Sequence, residues 1–139
     1  MSEEKRLMGR PKLYNNAEEM QEKIDKYFIS CFRPIFDRNG SPVINHITGE
    51  YHMEQYRPFT MSGLANALDM DRRTLLNYGK DEDFFPTIER ARRKVETYTE
   101  EKLFQKETCN GSKFSLSNNF GWAEKQEIEH HVDKLEDVL

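Results

Sequence analysis

The fold is decided by the stretch Thr60-Met-Ser-Gly-Leu-Ala-Asn-Ala-Leu-Asp-Met-Asp-Arg-Arg-Thr-Leu-Leu-Asn-Tyr78, which predicts two short helices joined by a tight turn. Thr60 or Ser62 can cap the first helix, because a side-chain oxygen there accepts a bond from a free backbone N–H. Asp71 can cap the second helix in the same way. The apolar residues of the first helix recur at helical spacing and predict its buried face. They are Leu64, Ala65 and Leu68. This pattern is typical of a helix-turn-helix.

The turn and the outward face of this motif decide what it can do. The turn needs a left-handed backbone, which glycine usually supplies, and this chain has Asp69 there. Leu75 and Tyr78 are expected to point back at the first helix. The residues left facing outward are Arg72, Arg73, Leu76 and Asn77. In DNA-binding proteins this face enters the major groove, where Arg reads guanine and Asn reads adenine. A purely structural helix pair is the alternative.

The composition fits one small domain with appendages. The chain has 139 residues, of which 36% are hydrophobic and 33% are charged, and its formal net charge is −4. A DNA-binding domain usually has a basic excess or a basic face, so any DNA contact must be local here. The basic clusters are Lys5-Arg6 with Arg10 and Lys12, then Arg72-Arg73, and then Arg90 to Lys94, whereas residues 124–137 have an acidic excess.

Several classes of protein are disfavoured. The charged N-terminus lacks an apolar signal region, and two cysteines fit free thiols in a reducing cytoplasm, so we expect no secretion. No apolar run is long enough for a membrane span. No Cys or His pair has zinc-ligand spacing, and no nucleotide-binding or nucleophile motif occurs. We therefore expect no enzyme activity, no metal or other cofactor and no small-molecule substrate.

The first part of the chain predicts a leader and a helix. Residues 1–15 form a flexible basic leader, in which Gly9-Arg-Pro-Lys12 is similar to short arms that enter the minor groove. A disordered, merely solubilising leader is the alternative. Asn16 can cap a first helix that extends to about Phe32 and ends at Arg33-Pro34.

A β insert is expected between this helix and the helix-turn-helix. Asn39-Gly40 and Thr48-Gly49 are turn dipeptides, and β-prone residues surround them. We therefore expect residues 35–57 to form a projecting hairpin of two or three short strands, with a plain connecting loop as the alternative.

A long helix is predicted at residues 86–107, and Asn110-Gly111 is expected to end it and to close the domain of residues 16–110. Its apolar residues form a narrow seam, which we interpret as an oligomer interface or as packing against the helix-turn-helix. The seam consists of Ile88, Ala91, Val95, Tyr98 and Leu103. The basic run Arg92, Arg93 and Lys94 is either a solvated face or a set of phosphate contacts.

Residues 111–139 form a C-terminal segment with an acidic tail. A short helix is predicted over residues 112–119, with Phe114 and Leu116 buried, and Phe120-Gly-Trp122 ends it. The apolar residues of the tail recur at helical spacing and need a partner for burial. They are Ile128, Val132, Leu135 and Val138.

The order of these motifs resembles the small terminase subunits of tailed bacteriophages, in the branch called DNA-packaging proteins. The matching segments are Gly9–Lys12, Phe59–Ala65, Arg72–Leu75, Ile88–Ala91, and Phe114–Trp122 with Lys125. The resemblance implies a non-catalytic, ring-shaped homo-oligomer in the cytoplasm of the infected host. Such a ring recognises double-stranded viral DNA for packaging. It also recruits and regulates the large terminase subunit, which carries the ATPase and the nuclease.

Residue by residue, the resemblance makes Arg72, Arg73 and Asn77 DNA contacts and Arg10 and Lys12 weaker ones. The tail is acidic, which disfavours DNA binding by the tail and suggests a contact with the large subunit instead. That contact would use Ile128, Val132, Leu135 and Val138. Two alternatives stay open: a transcription regulator that acts as a dimer, and an assembly scaffold that does not bind DNA.

Overall fold

The computed structural model describes residues 13–124. Within them the chain is mainly α-helical, as predicted, with one small antiparallel sheet. The helices are α1 (Ala17–Ser30), α2 (Met61–Ala67), α3 (Arg72–Tyr78), α4 (Phe85–Glu101) and α5 (Cys109–Phe120), and the strands are β1 (Phe32–Pro34) and β2 (Met53–Gln55). A turn of 3-10 helix, Lys102–Phe104, follows α4. No helix among the described residues is long and apolar enough to cross a membrane.

The chain divides into two compact units, of which the first ends at Tyr98 and the second begins at Thr99. The division falls inside α4, before the boundary that the sequence suggested after residue 110. The described parts of the two units are residues 13–98 and residues 99–124.

Helix α1 forms one wall of the first unit. The side chain of Asn16 accepts a hydrogen bond of 2.8 Å from the backbone N–H of Glu19, which confirms the predicted cap. The buried face of α1 carries Met20, Ile24, Tyr27 and Phe28. Burial of each such side chain stabilises the fold by about 1.5–3 kcal/mol. The helix ends at Ser30, earlier than predicted, because the next residues already pair with the returning strand.

Helices α2 and α3 occupy the predicted positions. Thr60 caps α2 by accepting a bond from Gly63, and Asp71 caps α3 by accepting a bond of 2.7 Å from Thr74. Asp69 adopts the predicted left-handed backbone, with φ of 59°. The buried side chains of this helix pair are Leu64, Ala65, Leu68 and Leu75.

The insert is an ordered β structure, and it is wider than predicted. Strand β1 starts at Phe32 instead of residue 35 and pairs with β2. Beyond this stem the chain makes two turns, at which Gly40 and Gly49 take positive φ values of 80° and 76°. Three backbone bonds of 2.8–2.9 Å close a ring: Ile35 N–H donates to His52, His52 N–H to Val43, and Val43 N–H to Ile35. The insert therefore consists of three paired segments that meet at this ring, namely the β1–β2 pair and the two turns, and it is not a single hairpin.

Three residue pairs flank this ring, one in each paired segment: Pro34 with Met53, Phe36 with Pro42, and Ile44 with Tyr51. Because side chains alternate along extended backbone, these pairs share the face opposite to the ring residues. All six are apolar.

Helix α4 completes the core of the first unit. Ile88, Ala91 and Val95 are buried against the rest of the unit, and the rings of Phe59 and Tyr98 lie 5.0 Å apart. Ile88 and Val95 are 4% and 1% exposed in the single chain. They have no surface left for a second copy, so core packing, the alternative to an interface, accounts for them.

The predicted end of α4 and the predicted start of α5 were both wrong. The helix ends at Glu101 rather than residue 107, and Asn110-Gly111 lies inside α5 instead of ending α4. The hydroxyl of Thr108 donates a bond of 2.7 Å to the carbonyl of Lys102, which ties the connecting turn together. A local side-chain contact across the turn is therefore found where the glycine cap was expected.

The second unit is built on α5, which ends at Gly121 with a left-handed φ of 71°, at the predicted place. Leu116 is buried as predicted, and Ser112, one turn earlier, is buried beside it. Phe114 was expected to be buried but is 72% exposed. A position two residues from Leu116 lies on the other side of a helix, so both cannot face the same core.

The left-handed turn can be tested by comparing Gly and Ala at Asp69. We expect Asp69→Ala to unfold more easily than Asp69→Gly by about 1 kcal/mol, because Ala resists positive φ. Asn66 is an exposed residue within α2. There, Asn66→Gly should unfold more easily than Asn66→Ala by about 1 kcal/mol, because Gly weakens a helix. Urea denaturation measures both pairs. The same order at both positions would contradict the left-handed conformation of Asp69.

Candidate nucleic-acid interface

The outward face of α3 carries the residues that the sequence marked for DNA. Arg72, Arg73, Leu76 and Asn77 are all exposed, while Leu75 between them is 1% exposed and anchors the helix. Residues 72 and 76 are one helical turn apart, as are residues 73 and 77. The face is therefore a compact patch about 10 Å long, with two guanidinium groups and one amide.

Helix α3 is fixed at both ends, so this patch has a defined orientation. Asp71 caps its first turn. At its last residue, the ring of Tyr78 packs edge-on against Phe84, with centroids 5.0 Å apart and an interplanar angle of 87°. Phe84 is fully buried. The exposed side chains thus project from a rigid support, which lowers the entropy lost when they bind a partner.

The residues before α1 are attached to the same support. Tyr14 is 3% exposed, and its hydroxyl donates a bond of 2.8 Å to the carbonyl of Leu68. The hydroxyl of Tyr78 accepts a bond of 2.9 Å from the backbone N–H of Leu13. Burial raises the pKa of Tyr14, and the charges of Asp69 and Glu19 raise it further, so the phenol stays protonated and able to donate. Sequence reasoning missed Tyr14; an isolated aromatic residue between a polar leader and the Asn16 cap was the available signal.

The side chains of the basic run of α4 differ in their contacts. The ammonium of Lys94 lies 4.4 Å from the centre of the Phe28 ring and 5.8 Å from that of Phe59, so it covers the aromatic core. Arg90 donates a bond of 3.3 Å to Gln21 on α1. Arg92 is partly buried, and Arg93 is exposed. Lys94 is exposed like Arg93, but its ammonium also packs over the Phe28 ring.

Other predicted site residues lie elsewhere. Arg10 and Lys12 are outside the described residues, as are Ile128, Val132, Leu135 and Val138. Tyr98 and Leu103 are partly exposed, one in each unit. Within residues 13–124, no group of three or more His, Cys, Asp or Glu side chains is arranged to hold a metal ion.

A family model described as DNA-packaging protein gp3 matches residues 9–128. The chain belongs to this family of DNA-packaging proteins. Membership confirms the resemblance seen in the sequence and gives the protein a role in phage DNA packaging. Neither a curated protein nor a solved structure matches the chain.

The packing role of Lys94 in this packaging protein can be separated from DNA contact. We expect Lys94→Met to lower the free energy of unfolding by about 0.5–1 kcal/mol, because it removes a cation from above an aromatic ring. Its affinity for duplex DNA should stay unchanged. Arg93→Met is the matched control, and it should leave the free energy of unfolding unchanged. Urea denaturation and fluorescence anisotropy test both variants. Loss of DNA affinity by Lys94→Met at full stability would reassign Lys94 to the interface.

Proposed function

We propose that this protein is a small terminase subunit, a homo-oligomeric ring that recognises double-stranded viral DNA and recruits and regulates the large terminase. The observation that carries the proposal is the exposed patch Arg72, Arg73 and Asn77 on a rigidly supported helix, in a member of a DNA-packaging family. The same observation favours α3 as the helix that enters the major groove.

The chemistry of the patch suits direct contact with base edges. An arginine forms a bidentate pair with guanine, and an asparagine does so with adenine. Leu76, 52% exposed between them, can contact a thymine methyl group. Each copy offers few contacts and the chain carries a net charge of −4, so a single copy binds weakly. Repetition of the patch around an oligomer supplies the missing affinity, because linked sites bind with a high effective concentration.

The second unit offers the surface for assembly. Phe104 is 86% exposed, and Phe114 and Trp122 are also exposed on this small unit. Leu103, Phe114, Leu116 and Trp122 line an apolar groove there, and Lys113 and Glu124 lie 3.7 Å apart at its edge. Exposed apolar surface of this kind marks protein contacts. We assign the ring interface to these residues in place of Ile88 and Val95, and the tail residues 128–138 to the large subunit.

The DNA assignment is tested by replacing both arginines of the patch. We expect Arg72→Ala with Arg73→Ala to weaken binding to a 30-base-pair duplex at least about tenfold, since each base contact is worth about 1–3 kcal/mol. If the two arginines contact phosphates instead, the slope of log affinity against log salt concentration should fall by about 2 per copy in the variant. Fluorescence anisotropy in a KCl series measures both quantities.

The control is Lys23→Ala with Lys26→Ala, which removes the same charge from the exposed face of α1. It should retain most of the affinity. Equal affinity for the wild type and the arginine variant would overturn the DNA role of α3 and leave the assembly scaffold as the better reading.

The assembly is tested by the native mass. Light scattering behind a sizing column should show a single species of many subunits. Phe104→Ser with Phe114→Ser should dissociate it, because two exposed rings leave the interface. Ile47→Ser, which removes a 95% exposed side chain from the insert, is the control and should leave the mass unchanged. A wild-type dimer would contradict the ring and favour a transcription regulator.

A further inference from the structure

The β insert presents an apolar face to solvent. This face, which we call the insert face, consists of the six residues that flank the hydrogen-bonded ring: Pro34, Phe36, Pro42, Ile44, Tyr51 and Met53. Four of them are large and exposed, and the two aromatic ones, Phe36 and Tyr51, are 59% and 56% exposed. The insert face therefore holds two aromatic rings and two aliphatic side chains that the single chain leaves accessible.

Charged groups lie on the other side of the insert. Arg33 and Glu54 are the chain neighbours of Pro34 and Met53, so the alternation of extended backbone directs them away from the insert face. Their side chains form an ion pair of 2.9 Å, and the Arg33 guanidinium lies 4.9 Å from the centre of the Tyr56 ring. The insert is therefore amphipathic, and none of the six residues of the insert face carries a charge.

The conformation of the insert is fixed by bonds that do not involve the side chains of this face. The Asp37 carboxylate accepts from the backbone N–H groups of Asn39 and Ser41 at 2.9 and 3.0 Å. The side chain of Asn45 accepts from the N–H of Ile47 at 2.9 Å. Together with the three ring bonds, these contacts hold both turns. A surface that is already rigid loses little conformational entropy when a partner covers it.

The size of the insert face indicates the kind of contact that it fits. Its accessible apolar surface is roughly 400 Å², since a Phe or Tyr side chain alone can bury about 150–250 Å². Patches of a few hundred Å² mark protein contacts. Each partner of a stable pair buries about 800 Å², however, so the insert face is too small to hold two copies together by itself. It suits an assembly in which every copy is bound on more than one side.

The proposed ring requires two unlike surfaces on each copy, because a head-to-tail interface joins different patches of the two neighbours. The second unit supplies one such surface, the apolar groove. Outside residues 32–57, the exposed large apolar side chains of residues 13–98 are single residues on four different parts of the chain, namely Leu13, Ile29, Leu76 and Phe85. The insert face is the larger apolar patch of the first unit and therefore the better match for the second surface.

We propose that the insert face is the second half of the ring interface and packs into the apolar groove on the second unit of the neighbouring copy. The partner is thus a second copy of this chain. Apolar contacts depleted of charge are typical of permanent homo-oligomers. At the edge of the groove, Lys113 and Glu124 lie 3.7 Å apart, so these two charges already offset each other. This inference rests on the proposed homo-oligomer.

The native mass of the full chain tests the insert face. We expect Phe36→Ser with Tyr51→Ser to reduce the assembly of many subunits to one or two copies in light scattering, because both rings leave the contact. Ile47→Ser is the matched control: it removes an exposed apolar side chain from the same insert but outside the insert face, and it should keep the wild-type mass. A variant that is folded by urea denaturation and keeps the wild-type mass would overturn the role of the insert face.

A photo-cross-link tests the partner surface without weakening the contact. Tyr51→p-benzoylphenylalanine is assembled from equal amounts of isotope-labelled and unlabelled chain, irradiated and analysed by mass spectrometry. We expect adducts of mixed isotope content that join position 51 of one copy to residues 103–122 of another. The same photoreactive group at Lys26, an exposed residue of α1, should give none. Adducts to residues 32–57 of another copy, or an intact assembly without adducts between copies, would overturn the proposed pairing.

Failure of this inference is distinguishable from failure of the proposed function. If the wild type is a large assembly that survives the Phe36, Tyr51 change but dissociates with the Phe104, Phe114 change, the insert face has no role and the ring stands. A wild-type monomer or dimer would overturn the ring itself, and this inference with it.

Discussion

The first unit depends on one hydroxyl group, that of Tyr27. It accepts from the backbone N–H of Thr60 at 3.0 Å and donates to the carbonyl of the same residue at 3.3 Å. Thr60 is the N-cap of α2, so this pair fixes where α2 begins relative to α1. The fit is tight, because a Cβ atom on Gly63 would lie 2.6 Å from the Tyr27 oxygen. Burial raises the pKa of Tyr27, which keeps the group protonated for both bonds.

The base of the β insert is closed by backbone hydrogen bonds next to the core. At the end of α1, the carbonyl of Cys31 accepts from the N–H groups of both Tyr56 and Arg57. The two ends of the insert are therefore held together, and the ring of Phe32 at its base lies 6.1 Å from that of Phe59.

The two units correspond to the two proposed roles of the protein, DNA binding and assembly. In the first unit, aromatic packing among Phe28, Phe59 and Tyr98 supports a rigid body that presents α3. In the second unit, α5 buries Leu116 but leaves Phe114 exposed beside an apolar groove. In the proposed function, repetition of a small cationic patch offsets the net charge of −4, so the proposed DNA and assembly roles depend on each other.

The sequence by itself determined the features that depend on neighbours within about four positions. The caps at Asn16, Thr60 and Asp71, the left-handed Asp69 and the turns at Gly40 and Gly49 all follow from local sterics and hydrogen bonds. Tertiary structure alone decided that Ile88 and Val95 are buried within one copy of the chain, and that the hydroxyls of Tyr14 and Tyr78 bond to Leu68 and Leu13. These depend on which surfaces meet, and such contacts join residues far apart in the chain, where periodicity gives no information on the partner.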